Sequence, residues 1–261
     1  MINFRNLEKP LKDLPKNVDL VSPTLDVLQW GAPKKDPLPE LMEAVEVRRQ
    51  VQSGVWPAEF MASQGLAEKQ EDVPCWLNQI ILKEMAENRR GYYTSAAAWL
   101  VAMDHPFDLA KAILDYYKPE CVNPECEAPF GNFVGDKKET ALVNVMVSEA
   151  LAHVFRVKYF HMEARPVEKL KFFNVDFSSD IEQYPHPNHP AYPAGHGAAA
   201  GATFKALNRI YKFNDKQLKE IEEGCKAFAA FRTFSFMHVK SENVDGFELG
   251  VEYVESITGE N

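Results

Sequence analysis

Residues 190–202 read Pro-Ala-Tyr-Pro-Ala-Gly-His-Gly-Ala-Ala-Ala-Gly-Ala. Two prolines and Gly195 set a tight turn, and the small residues that follow predict a helix over 195–211. The first N–H groups of such a helix have no carbonyl one turn back, and the dipole behind them favours a bound anion. Glycine at 195 lets a ligand reach the backbone with no side chain in the way. His196, at the mouth of the turn, stands where a proton can be taken or given. The small-residue run from Gly197 to Ala202 also suits close helix packing, and the two roles are compatible.

Helical periodicity dominates outward from this stretch. Residues 138–160 are apolar on most sides and predict a buried helix; 39–52, 75–87 and 92–117 carry helical patterns, the last interrupted at Asp104-His105-Pro106. A turn-rich loop is expected over 119–138 and a Pro- and His-rich one over 173–194. A helix begins near Asn214, where Gln217 three residues on completes a capping box, and a last one covers 244–256. Strand patterns are nearly absent. The expected fold class is all-α, a helical bundle in one domain over 1–261, with an extended arm over 1–38 and a catalytic helical core over 139–257.

The chain has 261 residues, 46% of them hydrophobic, enough for a sizeable core. Its net charge of −9 excludes a general affinity for nucleic acid or anionic membrane, so an anionic ligand needs a locally basic pocket. No run reaches the roughly 18–20 apolar residues that span a bilayer, and MINFRNLEKPLKD lacks a signal-peptide core. The expectation is a cytoplasmic protein with no membrane and no nucleic-acid partner. Cys121 and Cys126 are spaced for a local disulfide or half a zinc site, but no second pair accompanies them. Free structural thiols at Cys75, Cys121, Cys126 and Cys225 are expected.

Charges fall where a core should be. Leu218, Ile221, Cys225, Phe228 and Phe236 recur at helical spacing, and Arg232 lies on the same stripe. A guanidinium inside an apolar face costs several kcal/mol unless an anion meets it. A buried Arg–carboxylate pair or a snorkelling side chain would also satisfy it. Lys158 repeats the anomaly on the face of Leu151, Val154 and Phe155, and Arg165 follows just before Pro166, where a helix must stop or turn. Three inward cations from separate segments coexist if a multiply charged anion sits among them.

These residues form a known pattern. Lys158, six residues, then Arg165-Pro166 resembles the first signature of the vanadium haloperoxidase and type 2 phosphatidic acid phosphatase superfamily. Pro193-Ala194-Gly195-His196 resembles the second, and Arg232, His238 and Glu242 at their spacing resemble the third. His189, seven residues before His196, resembles the lead-in of vanadium bromoperoxidases. Three departures stand out: Ala194 replaces a serine that donates to the oxyanion, Phe231 replaces serine before the arginine, and Glu242 replaces aspartate.

The resemblance implies that Lys158, Arg165, Arg232 and the Gly195 N–H hold vanadate, with His238 as its axial ligand and Glu242 orienting that ring; phosphate could occupy the same site. His196 would be the general acid–base, taking a proton from hydrogen peroxide, while His189 and Phe155 shape the halide site. The alternative is a soluble phosphomonoesterase, with His238 forming a phosphohistidine and His196 protonating the leaving alcohol. A third reading is a non-catalytic oxyanion-binding homologue, for which Ala194 speaks. A homodimer is expected only by analogy with relatives that pair bundles. His161 and Glu163 are expected to be loop residues at the pocket rim, and the acidic runs Glu220-Ile221-Glu222-Glu223 and 248–255 solvated helix faces.

Overall fold

A computed structural model describes residues 37–87, 108–121, 138–175 and 188–259. Its elements are helices α1 (Leu38–Gln52), α2 (Ala58–Ala62), α3 (Cys75–Glu87) and α4 (Asp108–Tyr117), strand β1 (Glu120–Cys121), helices α5 (Lys138–His161), α6 (Pro166–Phe172) and α7 (Gly195–Ile210), strand β2 (Tyr211–Lys212), and helices α8 (Asp215–Phe234) and α9 (Lys240–Thr258). Among the described residues the fold is all-α apart from one short 3-10 turn (Gln70–Asp72) and the two-residue antiparallel pair β1–β2, in which Cys121 pairs with Tyr211.

Local chemistry explains most boundaries. Asn214 caps α8 by accepting from the Gln217 N–H at 3.0 Å, while Gln217 accepts from the Asn214 N–H at 2.9 Å, the reciprocal box the sequence predicts. The described part of the 92–117 pattern is α4, which begins just after Asp104-His105-Pro106; the remainder, the arm over 1–36 and Cys126 lie outside the described residues. Two short helices were not anticipated. α6 starts because Pro166 sits at its first position, where the missing N–H costs nothing. The last helix begins at Lys240, four residues earlier than the apolar pattern alone suggests.

The core is built on the crossing of α7 and α9. A Cβ added to Gly201 would lie 2.0 Å from the Phe247 carbonyl oxygen, and one on Gly250 would lie 2.1 Å from the Ala198 oxygen. Gly197 and Gly246 face backbone in the same way, at 2.6 and 2.4 Å. The small-residue run is therefore a backbone-to-backbone contact that no side chain can enter. α5 and α8 pack around this pair, and Ala227 to Val239 is buried without a break. Phe236 lies beyond α8, in a left-handed turn at φ 56°, rather than on its helical stripe.

A second apolar cluster joins Leu41, Ala44 and Val45 of α1 to Val167 and Leu170 of α6 and to Phe236 and Val239. It fixes α6 against the α8–α9 turn. The segment Thr140–Phe172, which spans α5 and α6, is long and apolar enough by length and composition alone to cross a bilayer. Here it packs on α7 and α9 and carries buried Lys158 and Arg165.

Candidate functional site

Five helix ends converge. Lys158 is in the last turn of α5, Arg165 precedes α6, Ala194 precedes α7, Arg232 is in the last turn of α8, and His238 and Glu242 flank the start of α9. The short α8–α9 turn, closed by the Met237 N–H on the Arg232 carbonyl at 3.1 Å, sets Arg232 and His238 side by side.

The cations are buried as the sequence predicts. Lys158 is 0% exposed and its Nζ donates to the carbonyls of Pro190 (3.0 Å) and Ala191 (2.6 Å). Arg165 donates through Nε to the His189 carbonyl at 3.3 Å, through one terminal nitrogen to the Met237 carbonyl and His238 Nε2 (both 3.1 Å), and through the other to His189 Nδ1 at 3.1 Å. Among the described residues, neither cation forms an ion pair with a carboxylate. Burial, then the nearby Arg165 charge, pushes the Lys158 ammonium well below its usual range. Burial brings Arg165 down to about 10, which still leaves it charged at neutral pH. A buried anion between them would reverse both trends.

His238 is fixed at both nitrogens. Nδ1 lies 2.8 Å from Glu242 Oε2, and Nε2 faces the Arg165 guanidinium. A guanidinium can only donate, so Nε2 keeps its lone pair and the proton sits on Nδ1, donated to Glu242. Burial, followed by the charges of Arg165, Lys158 and Arg232, holds the ring well below the ordinary histidine value, so it is neutral near pH 7. Glu242 is the third residue of α9, and its Oε2 also accepts from the Val239 N–H at 3.4 Å. The helix start thus aims the carboxylate at the ring four residues upstream.

His196 is half-buried at the start of α7, with Nε2 against the Arg232 guanidinium. By the same rule this nitrogen accepts. A Cβ on Gly195 would meet nothing closer than Leu151 Cδ2 and Lys158 Cε, both at 3.9 Å. The glycine therefore leaves room for a methyl group beside Lys158, at the start of α7. The donor set of lysine, two arginines and helix amides suits an oxyanion; among the described residues no cluster of three His, Cys, Asp or Glu would hold a bare metal cation.

His189 and Phe155 meet edge to face, with ring centres 5.1 Å apart. Burial, then Arg165 and Lys158, pushes His189 down to about 4. Its Nδ1 lies 3.1 Å from both the Arg165 guanidinium and the Pro190 carbonyl oxygen. The departures also have places in the structure. Ala194 is fully buried, caps α7 with no side-chain bond, and donates its N–H to the Glu242 carbonyl at 2.9 Å. Phe231 points away into an aromatic cluster, 6.1 Å from Trp56 and 5.0 Å from Phe234.

Glu163 lies in the loop between α5 and α6, as expected, but it is more than a rim residue: its carboxylate pairs with Lys169 Nζ, and Lys169 is bound in turn to Glu242 Oε1 at 3.1 Å. His161 ends α5 and stacks edge-on against Tyr192. Lys169, 4% exposed, was missed altogether. Its signal was the four-residue spacing from Arg165, which places both on one face once Pro166 is read as a helix start. A separate cavity of about 620 Å³ lies between α8 and α9, lined by Phe204, Lys226, Asn243 and Phe247 among others. It contains none of the predicted site residues.

No protein-family model matches this chain, and no curated protein matches it. Among solved structures it is similar to the crystal structure of a bacterial vanadium-dependent iodoperoxidase, described as the first of its kind, with 16% identity and a TM-score of 0.48. The match covers 89% of this chain and 51% of that one, so the chain spans about half that protein's length.

Proposed function

We infer that this chain is an enzyme of the vanadium haloperoxidase and acid phosphatase kind, which binds vanadate at His238 and oxidises bromide or iodide with hydrogen peroxide. The observation that carries this reading is the pair of buried cations, Lys158 and Arg165, that meet only neutral acceptors while facing a neutral His238. Burying such charges without an anion costs several kcal/mol, and a multiply charged oxyanion removes that cost.

Lys158, Arg165, Arg232 and the Gly195 N–H would hold the oxygens, and His238 Nε2 would take the central atom. Bound vanadate supplies Lewis acidity toward hydrogen peroxide. Glu242 keeps the His238 proton on Nδ1, so Nε2 remains a ligand. His196 offers an accepting Nε2 beside Arg232 and takes the peroxide proton. His189 presents its imidazole and Phe155 an aromatic ring, a polar group on an apolar wall suited to a large, weakly hydrated halide.

A phosphomonoesterase is the second reading, favoured by the same fixed lone pair on His238, which equally suits a nucleophile. A paired assay separates them. One arm contains purified protein, orthovanadate, hydrogen peroxide and bromide or iodide with a halogenation indicator; the other contains p-nitrophenyl phosphate without vanadate. Vanadate-dependent halogenation that disappears in His238→Ala is expected. Phosphate release inhibited by vanadate would replace the first reading with the second. Inactivity in both arms, with orthovanadate still bound, would leave an oxyanion-binding protein and overturn both.

A further inference from the structure

Lys169 belongs to this cluster, and no motif assigns it. It lies one helical turn after Arg165, and the two cations reach opposite ends of one hydrogen-bonded pair. Arg165 meets His238 at Nε2, and Lys169 meets Glu242 at Oε1 while Glu242 Oε2 takes the His238 Nδ1–H. Glu163 closes the far end of the row by pairing with Lys169, and its backbone carbonyl accepts from the Ala191 N–H at 2.8 Å. The row Arg165, His238, Glu242, Lys169 and Glu163 therefore ties together the three segments that carry the site.

Burial opposes the Lys169 charge, but Glu242 and Glu163 outweigh it and raise the ammonium above its usual value, so it stays charged. The arrangement also explains why glutamate stands at 242. From the third position of α9 its carboxylate spans His238 on one side and Lys169 on the other, with the Val239 N–H between. Aspartate, one methylene shorter, reaches one of the two.

We propose that Lys169 is a positioning residue of the oxyanion site: by holding Glu242 Oε1 it locks Oε2 onto His238 Nδ1–H and keeps the Nε2 lone pair turned to the cations. This rests on the oxyanion-site reading above. Without Lys169, the carboxylate is free to rotate away, and the ring loses the acceptor that selects its tautomer. The role is indirect, because Lys169 makes no contact with His238 itself.

The test uses the full chain labelled with ¹⁵N-histidine, with His238 assigned by its loss in His238→Gln. The wild type is expected to show a single His238 tautomer, protonated at Nδ1. Lys169→Met should show mixed tautomers and bind orthovanadate at least tenfold more weakly by calorimetry; Lys169→Arg should recover both. Glu242→Asp, which retains the charge, should behave like Lys169→Met. A wild-type tautomer and affinity in Lys169→Met, or in Glu242→Asp should the first variant not fold, overturns the proposal. If the wild type binds neither orthovanadate nor phosphate, the oxyanion reading fails on its own account; the tautomer spectra still decide whether Lys169 sets the ring.

Discussion

Two glycines in the same helix pair should respond oppositely to the same methyl group. At Gly250 of α9 the new Cβ lies 2.1 Å from the Ala198 oxygen and 2.8 Å from the Ala198 carbon and Ala202 nitrogen. Ordinary contact starts near 3.4 Å, and every obstructing atom is backbone, so no rotamer change relieves the clash. α7 and α9 must move apart by about an ångström. Overpacking of this kind costs about 1–3 kcal/mol and occasionally more, against about 1 kcal/mol gained from alanine's helix propensity. With solid backbone on the far side, the upper end applies. Gly250→Ala should lose about 2 kcal/mol net, which in a chain of this size lowers Tm by roughly 4–8 °C. At Gly195 the same methyl meets nothing within 3.9 Å. Gly195→Ala should leave stability unchanged or raise it by up to about 1 kcal/mol, yet weaken orthovanadate binding at least tenfold, about 1.4 kcal/mol. Urea denaturation followed by circular dichroism, alongside orthovanadate calorimetry, reads both. Equal stability losses in the two variants, or wild-type affinity in Gly195→Ala, would refute the steric argument.

Other outcomes follow from single contacts. His189 is held at about 4, against about 6.5 in the unfolded chain. Its folded value is depressed, so its stabilising contribution is full above about 6.5 and is lost as pH falls toward 4, where the unfolded chain takes up the proton first. Urea midpoints of oxyanion-free protein should drop across that window, and His189→Gln should flatten the drop; an unchanged slope counts against the buried, cation-flanked ring. Asn214→Ala removes the side chain that caps α8 and should cost about 1 kcal/mol in urea denaturation. Ala194→Ser places a hydroxyl at the head of α7, beside Gly195. One added bond to a charged oxyanion is worth about 1.5–3 kcal/mol, so orthovanadate should bind at least tenfold more tightly, and no gain would mean the hydroxyl points elsewhere.

Residue type and spacing alone determined a good deal. Helical periodicity gave the all-α class, the spans of α1, α3, α5 and α7 to within a residue or two, and the start of α8, because each is a local pattern. The anomaly of Lys158, Arg165 and Arg232 on apolar faces was readable because a charge at a core position is costly wherever the chain goes. His196, His238 and Glu242 were legible because their spacing resembles a known signature, and the structure sets His196 against Arg232 and His238 against Arg165, with Glu242 behind His238.

Tertiary structure decided the rest. α6 was hidden because its seven residues carry too short a pattern, and it is held by the cluster of Leu41, Val167, Leu170 and Phe236, drawn from three distant segments. The spacing of Lys169 from Arg165 hints at a shared face, but its partner could not be read along the chain: it is Glu242, 73 residues away. Gly195 and Gly250 look alike in sequence, and only the crossing of α7 and α9 makes one a tolerant edge of the site and the other a point where two backbones touch. The tautomer of His238 likewise needed both neighbours, since a proton goes to whichever nitrogen faces an acceptor, and spacing along the chain does not show which atoms face each other.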